Sequence, residues 1–216
     1  MKSLLFITFL YLTFSSLSYA NEYLPGVSKF IDEMHDEHGF DKAELQTVFE
    51  QVNVKKSILK AIARPAEKSK PWYDYRKIFI TQKRINNGAV FWQANKSTLV
   101  KAEREFGVPA EIIIAILGVE TSYGSNVGGY RVVDALSTLA FRYPPRSKFF
   151  RSELGHFLFL TREEKMSILT PMGSYAGAMG LGQFMPSSFR AYAVDFDGDG
   201  KRDIWTNPTD AIGSIA

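Results

Sequence analysis

The sequence predicts a mainly α protein. Apolar residues recur at helical spacing in most segments, Pro- and Gly-bearing stretches punctuate them, and no run alternates long enough to make a convincing long strand. Hydrophobic residues fill 45% of the 216 positions and charged residues 23%, the balance of a globular chain with a sizeable core. Neither an internal repeat nor a low-complexity tract interrupts the pattern.

Residues 1–20 read as a cleaved signal peptide. Lys2 precedes the apolar run Leu4 to Phe14, and Ser18-Tyr19-Ala20 supplies small residues where a signal peptidase reads. The run breaks at Ser15-Ser16, short of the roughly 20 residues a membrane anchor needs. The chain has no cysteine, which excludes disulfides, thiol chemistry and an acylated N-terminal Cys. A soluble, exported, periplasmic protein without a lipid anchor is expected. The net charge of +3, one less once Lys2 is removed, gives no argument for nucleic acid.

An N-terminal helical region is expected over residues 21–70. Val27, Phe30, Ile31 and Met34 fit one helix face, and Leu45, Val48, Phe49 and Val52 another, which suggests two short helices. Asp41 followed by Glu44 has the form of a capping box. His35-Asp36-Glu37-His38 lacks a third metal ligand and reads as a solvated helix end. The polar stretch Glu67-Lys68-Ser69-Lys70-Pro71 marks a boundary before the aromatic segment Trp72-Tyr73-Asp74-Tyr75. Residues 71–216 then form the second region, with one amphipathic helix from Ala89 to Phe106, a rigid loop Arg142-Tyr143-Pro144-Pro145-Arg146 and a helix from Phe149 to Leu160.

Glu120 is the most informative single residue. Ile112, Ile113, Ile114, Ala115, Ile116, Leu117, Gly118 and Val119 lead directly into it, so its carboxyl should project from an apolar helix face. The helix should start near Val108-Pro109, with Glu111 favourably placed against its dipole, and end near Ser122-Tyr123-Gly124 with Gly124 left-handed. Desolvation near a helix C-terminus disfavours the anion and should raise the pKa, as a general acid requires. The competing reading is a structural ion pair with an Arg or Lys.

Two further segments carry chemistry. Residues 173–186, Gly173-Ser174-Tyr175-Ala176-Gly177-Ala178-Met179-Gly180-Leu181-Gly182-Gln183-Phe184-Met185-Pro186, bring backbone close to something before a helix from Ser187 or Ser188. Tight packing and a substrate-lined wall are equally consistent with them. No phosphate cradle is indicated, because no Gly-Lys-Ser/Thr follows. Ser174 and Gln183 could hydrogen-bond a ligand there, and Phe184 could stack on a sugar. Asp195, Asp197 and Asp199, with Gly200 in sixth place, match a calcium EF-hand loop in which Lys201 offers its carbonyl and Asp203 stands ninth. Thr206 replaces the twelfth-position Glu, leaving Asn207 or Asp210 to help complete the shell.

The segments PWYDYRKIFIT, GVETSYG, GSYAGAMGLGQFMPSSF and DFDGDGKRDIW, in this order, resemble the membrane-bound lytic murein transglycosylase B family from about Pro71 onward. The resemblance implies a lysozyme-like, mainly α catalytic core with an EF-hand-like calcium loop, in which calcium is structural and no organic cofactor is used. It implies a monomeric peptidoglycan lytic transglycosylase acting on glycan strands, cleaving the MurNAc-β-1,4-GlcNAc bond and leaving 1,6-anhydro-MurNAc. Carried over by motif, the catalytic carboxyl falls on Glu120. Tyr75, Ser174, Gln183 and Phe184 fall on the glycan cleft, and Asp195, Asp197, Asp199, Lys201 and Asp203 on the calcium loop. Phe149 stands where the family often has Tyr. Family members continue well beyond the Asp210-Ala211-Ile212-Gly213-Ser214 motif, so a chain truncated at the C-terminus is expected. A hydrolytic lysozyme with a second carboxylate and a calcium-stabilised glycan-binding module are the rival readings.

Overall fold

The computed structural model describes residues 24–64 and 70–216. The expected signal peptide, and the boundary stretch as far as Ser69, lie outside the described residues. Three helices come first: α1 Val27–Asp36, α2 Lys42–Glu50 and α3 Lys56–Ile62. They are followed by α4 Trp72–Phe79, α5 Gln82–Ala94, α6 Lys96–Phe106 and α7 Ala110–Thr121. A two-residue strand β1 Tyr130–Arg131 leads into α8 Val132–Arg142, a 3₁₀ turn Pro144–Arg146 and the long α9 Ser147–Glu163. Strand β2 Met172–Gly173, α10 Pro186–Tyr192 and α11 Pro208–Ile215 complete the order.

Two hydrophobic clusters organise these elements. The larger joins α1–α3 to α8 and α9, with Phe30, Leu45 and Ile58 packed among Leu136, Leu139, Phe150 and Phe157. Edge-on contacts of Phe30 with Phe49 at 5.8 Å and with Phe141 at 5.9 Å lock the N-terminal helices onto α8. The N-terminal helices therefore share their core with the middle of the chain. The second cluster joins α6, α7 and α11 through Leu99, Ile113, Leu117, Ala211 and Ile212, with Leu181 and Phe196 contributed by loops.

Helix α8 is buried at every position from Val132 to Ala140, including Asp134, Ser137 and Thr138. Burying Asp134 is tolerable because its carboxylate is fully used. Arg131 donates to both of its oxygens, Nε to Oδ2 at 2.9 Å and a terminal nitrogen to Oδ1 at 2.8 Å. The Asn53 N–H adds a bond at 2.9 Å, and Lys55 N donates to Thr138 Oγ1 at 3.2 Å, which ties the connection between α2 and α3 to the central helix.

Several boundaries differ from the periodicity. The expected Ala89–Phe106 helix is broken at Asn95, whose side-chain amide donates to Phe91 O at 2.9 Å and whose backbone leaves the helical region at φ −118°, ψ 20°. A short polar side chain that bonds back to the preceding turn competes with helix continuation. Among the described residues the N-terminal region holds three helices where two are expected; Lys56–Ile62 buries only Ile58, too short a pattern to read from periodicity. Asp41 does cap α2, accepting from the Glu44 N–H at 2.7 Å. His35 is a helix-end residue whose Nδ1 lies 2.7 Å from Phe40 O.

Replacing Asp134 by Ala strands a guanidinium and a peptide N–H, and should cost about 3 kcal/mol of stability, read from the urea midpoint. Amide exchange should quicken first in α1–α3.

Candidate active site

Helix α7 starts after Pro109, its N-cap residue; Glu111 in its first turn complements the dipole, and an unbroken apolar run follows. Its apolar residues exceed what one face can bury. Ile113 and Leu117 are fully buried, whereas Ile112 is 51%, Ile116 36% and Val119 47% exposed. Glu120 completes the Ile113–Leu117 row but lies at its open end and is itself exposed, so the full burial expected from the sequence is not found. Its carboxyl is nevertheless raised above the ordinary carboxyl range, and the cause is desolvation. A side chain can be exposed yet poorly hydrated when it looks across apolar neighbours instead of into bulk water. Among the described residues no ion pair involves Glu120, so the structural salt-bridge reading has no support.

The next residue connects this helix to the glycine-rich segment. Thr121, 1% exposed, donates from Oγ1 to Leu181 O at 2.9 Å and accepts from Gly124 N at 3.0 Å. Nothing in the sequence pattern marked Thr121 except its adjacency to Glu120. The helix ends where expected, at Thr121 with Ser122 as its C-cap, and Gly124 is left-handed (φ 85°), as Ser122 (φ 53°) and Tyr123 (φ 60°) also are.

The glycine-rich segment is held by close approach. A Cβ on Gly173 would meet Ala178 O at 2.4 Å, and one on Gly180, which also has φ 68°, would meet Ile204 O at 2.5 Å. Packing therefore explains these glycines directly. Ser174 Oγ accepts from Ala176 N at 3.3 Å and Ala178 N at 3.1 Å, which leaves its proton available to a ligand. Gln183, left-handed at φ 53°, donates its amide to Val127 O at 3.3 Å and Gly180 O at 3.0 Å, so this side chain braces the loop. Phe184 lines a cavity of about 470 Å³ with Phe106, Ile116, Gly182 and Ile215, which places it beside the helix that carries Glu120, one turn upstream of the carboxyl. Tyr75 stands apart in sequence on α4, its ring 5.2 Å from Phe79 and 6.1 Å from Trp72.

The aspartate loop turns its carboxylates back onto its own backbone. Asp195 accepts three backbone N–H groups, from Gly200 at 2.7 Å, Gly198 at 2.8 Å and Asp199 at 3.1 Å, and the Gly200 bond leads the causes that hold its carboxyl below the usual range. Oxygens of Asp195, Asp197 and Asp210 come within 4.8 Å of one another. Asp199 accepts from the Lys201 N–H at 2.9 Å. Asp203 caps the following turn, accepting from Trp205 N and Thr206 N, both at 2.9 Å, and from the Thr206 hydroxyl. Asp210 is fully buried, accepts from Phe196 N and Asp203 N at 2.8 Å each, and is pushed up by desolvation. Asp210, expected to help complete the shell, is thus one of the three carboxylates brought together, and Asp199 and Asp203 are not in that group.

Fold and site together define a lysozyme-like, mainly α domain in which the desolvated carboxyl of Glu120 stands one helical turn beyond Ile116, a lining residue of the cavity that Gly182 and Phe184 also line. Comparison gives the family. The chain belongs to the transglycosylase SLT domain family, whose model matches residues 23–216. It is 45% identical over 201 residues to membrane-bound lytic murein transglycosylase B of Escherichia coli K12, covering 89% of this chain and 55% of that protein. The soluble lytic transglycosylase SltB1 of Pseudomonas aeruginosa superposes with a TM-score of 0.87 at 59% identity, covering 88% of this chain and 64% of that one. The Escherichia coli lytic transglycosylase Slt35, solved in complex with calcium, gives 0.83 at 46% identity, covering 89% and 61%. The chain thus spans about half the length of the curated relative it matches.

Thr121→Val removes the hydroxyl while keeping the shape. It should lower stability by about 1–3 kcal/mol in urea titrations, because the Leu181 carbonyl loses its donor, and Thr121→Ser should restore most of the loss.

Proposed function

We propose that this chain is the catalytic core of a peptidoglycan lytic transglycosylase, acting outside the cytoplasm on glycan strands. The observation that carries the reading is Glu120, a carboxyl raised by desolvation alone, with no ion pair among the described residues, one helical turn beyond Ile116 of the cavity lined by Phe184. Family membership and the named relatives supply the substrate class.

A raised carboxyl remains protonated nearer neutral pH, so Glu120 donates its proton to the glycosidic oxygen. The muramyl N-acetyl group stabilises the developing oxocarbenium centre, which removes the need for a second carboxylate. Glu120, now a carboxylate in the same poorly hydrated position, takes the proton from the C6 hydroxyl, and that oxygen closes onto C1 as the 1,6-anhydro ring. One bond forms as one breaks, and no water is consumed. The stripe of Ile112, Ile116 and Val119 disfavours water at this step. Ser174 offers a hydroxyl proton to the glycan, Phe184 a flat apolar face, and Gln183 holds the loop that presents them. Tyr75 is assigned to the opposite wall of the cleft.

The aspartate loop suits a hard cation, since its donors are carboxylate oxygens and two left-handed glycines, Gly198 and Gly200, turn the backbone around them. Asp195, Asp197 and Asp210 would hold calcium, with the Asp199 side chain and the Lys201 carbonyl at their expected loop positions. Asp203 is assigned to the loop exit. Calcium bound there neutralises mutual repulsion and fixes the local backbone; it takes no part in bond cleavage.

Glu120→Gln should lower turnover on purified peptidoglycan by about 10²–10⁴-fold while leaving glycan binding intact. Near-normal turnover would refute the assignment. Mass spectrometry of the wild-type digest should show anhydro ends, and products heavier by one water would indicate a hydrolase instead. Because the Glu120 pKa is raised on folding, the folded state holds the proton more tightly, and stability falls as pH rises from the ordinary carboxyl value near 4.5 through the raised one. The Gln variant should therefore match wild type at low pH and be at least as stable at neutral pH, measured by thermal unfolding. Calcium at about a hundredfold excess over its Kd should stabilise the protein by about 2–3 kcal/mol, and Asp195→Asn should abolish the effect.

A further inference from the structure

The turn that follows Glu120 is strained. Ser122 (φ 53°, ψ 48°) and Tyr123 (φ 60°) are consecutive non-glycine residues in the left-handed region. Each costs about 1–2 kcal/mol relative to an ordinary helical conformation. Such outliers persist where surrounding structure over-determines them. Here the determinant is the Tyr123 side chain. The chain reversal, closed by Tyr123 N donating to Leu117 O at 3.1 Å, sends the phenol back beneath its own helix.

There it meets glycine on both sides. A Cβ built on Gly118 of α7 would lie 2.5 Å from Tyr123 Oη, and one built on Gly88 of α5 would lie 2.5 Å from the same atom. Both glycines are buried. The phenol tip therefore occupies the space that side chains at both positions would otherwise fill, and the α5–α7 crossing is spaced by a tyrosine supplied from outside either helix. The ring also packs on Phe91 of α5 at 5.6 Å between centroids. Desolvation raises the phenol pKa, and Arg84, one turn before Gly88 on α5, acts in the opposite sense.

Arg84 extends the connection to the next helix. Its guanidinium donates to Ile78 O at 3.2 Å and lies 5.4 Å from the Phe79 ring centroid, both at the end of α4. Phe79 in turn contacts Tyr75 at 5.2 Å. A contiguous path of packed groups thus runs from the residue three after Glu120, through the α5–α7 crossing, to the wall assigned to Tyr75.

We propose that Tyr123 is a positioning residue, the spacer that sets the separation and angle between Glu120 on α7 and the α4–α5 wall bearing Tyr75. The proposal rests on Glu120 being the acid–base group. It predicts that altering the spacer changes the geometry at the carboxyl more than it changes glycan affinity, and that spacer and socket are coupled.

The test uses Tyr123→Phe, Gly88→Ala and the double variant, assayed on purified peptidoglycan for kcat, KM and the pH dependence of kcat/KM. Gly88→Ala drives a methyl into Oη and should lower kcat by about 10²-fold, the scale of a 1 Å misplacement, with a smaller change in KM. Tyr123→Phe folds without the clash and should lower kcat several-fold while moving the alkaline limb of the pH profile, which reports Glu120. In the double variant the closest approach at Gly88 relaxes from 2.5 Å to the 3.0 Å contact with Cζ, so part of the kcat lost in Gly88→Ala should return. Ile58→Ala, in the distant N-terminal core, is the control for lost stability. If the crossing variants lower only the unfolding temperature, as that control should, leaving kcat and the alkaline limb unmoved, Tyr123 is structural and the proposal fails. Failure of the acid–base reading itself would show differently, as retained turnover in Glu120→Gln.

Discussion

The cleft side of this molecule depends on one buried hydroxyl. Thr121 joins the last turn of the helix carrying Glu120 to Leu181 in the glycine-rich segment, and it also receives the Gly124 N–H that closes the reversal after that helix. An apolar residue of equal size would leave the buried Leu181 carbonyl and the part-buried Gly124 amide without this partner. The glycines then act through this anchor. Gly180 lies so close to Ile204 that no side chain fits, and Leu181 N donates to Ile204 O at 2.9 Å, so the segment is clamped between α7 on one side and the exit of the aspartate loop on the other. Ser174 and Gln183 are held further by their own side-chain hydrogen bonds to the loop backbone, and Phe184 by packing of its ring against the core.

The carboxylates divide by how the fold treats their charge. Asp134 is buried and saturated by a guanidinium and a peptide N–H, a structural use that needs no solvent. Asp195 is stabilised as an anion by three backbone donors, which suits the cation proposed for its loop. Among the described residues Glu120 receives neither treatment. Desolvation alone acts on it and favours the protonated form, as the proposed proton donor requires, whereas Asp210, also raised by desolvation, accepts two backbone N–H groups. The donors around each carboxylate thus separate packing at Asp134 from the metal and acid roles proposed for Asp195 and Glu120.

Much of this was legible in the sequence, and the exceptions have physical causes. The helix of Glu120 could be read because an eight-residue apolar run cannot be mistaken for a surface loop, and the aspartate loop because alternate Asp residues with Gly are rare without a purpose. The degree of Glu120 burial was not legible, since periodicity gives azimuth but not what lies opposite, and Ile112, Ile116 and Val119 prove to be exposed. The break at Asn95 was hidden because apolar spacing continues across it, while the amide bond that ends the helix depends on one rotamer. Asp210 was seen only as a helper, because its part arises from α11 folding back beneath the loop, and linear spacing does not record that return.

That return also connects the cation site to the cleft. Asp210 holds both ends of the aspartate loop, through Phe196 N and Asp203 N. Asp203 in turn caps the turn containing Trp205, whose indole donates to Met172 O at 3.1 Å in the strand that leads to Ser174. Ile204, between them, is the residue that Gly180 and Leu181 touch. Ordering the loop therefore fixes Ile204 and Trp205, and these two residues fix both arms of the glycine-rich wall. The cation proposed for this loop would need no contact with substrate to matter: it would act by restricting the backbone on which Ser174 and Phe184 are mounted. Because Glu120 has no ion-pair partner among the described residues to orient it, such restriction of the wall is the means by which the proposed enzyme would hold a sugar in register with that carboxyl.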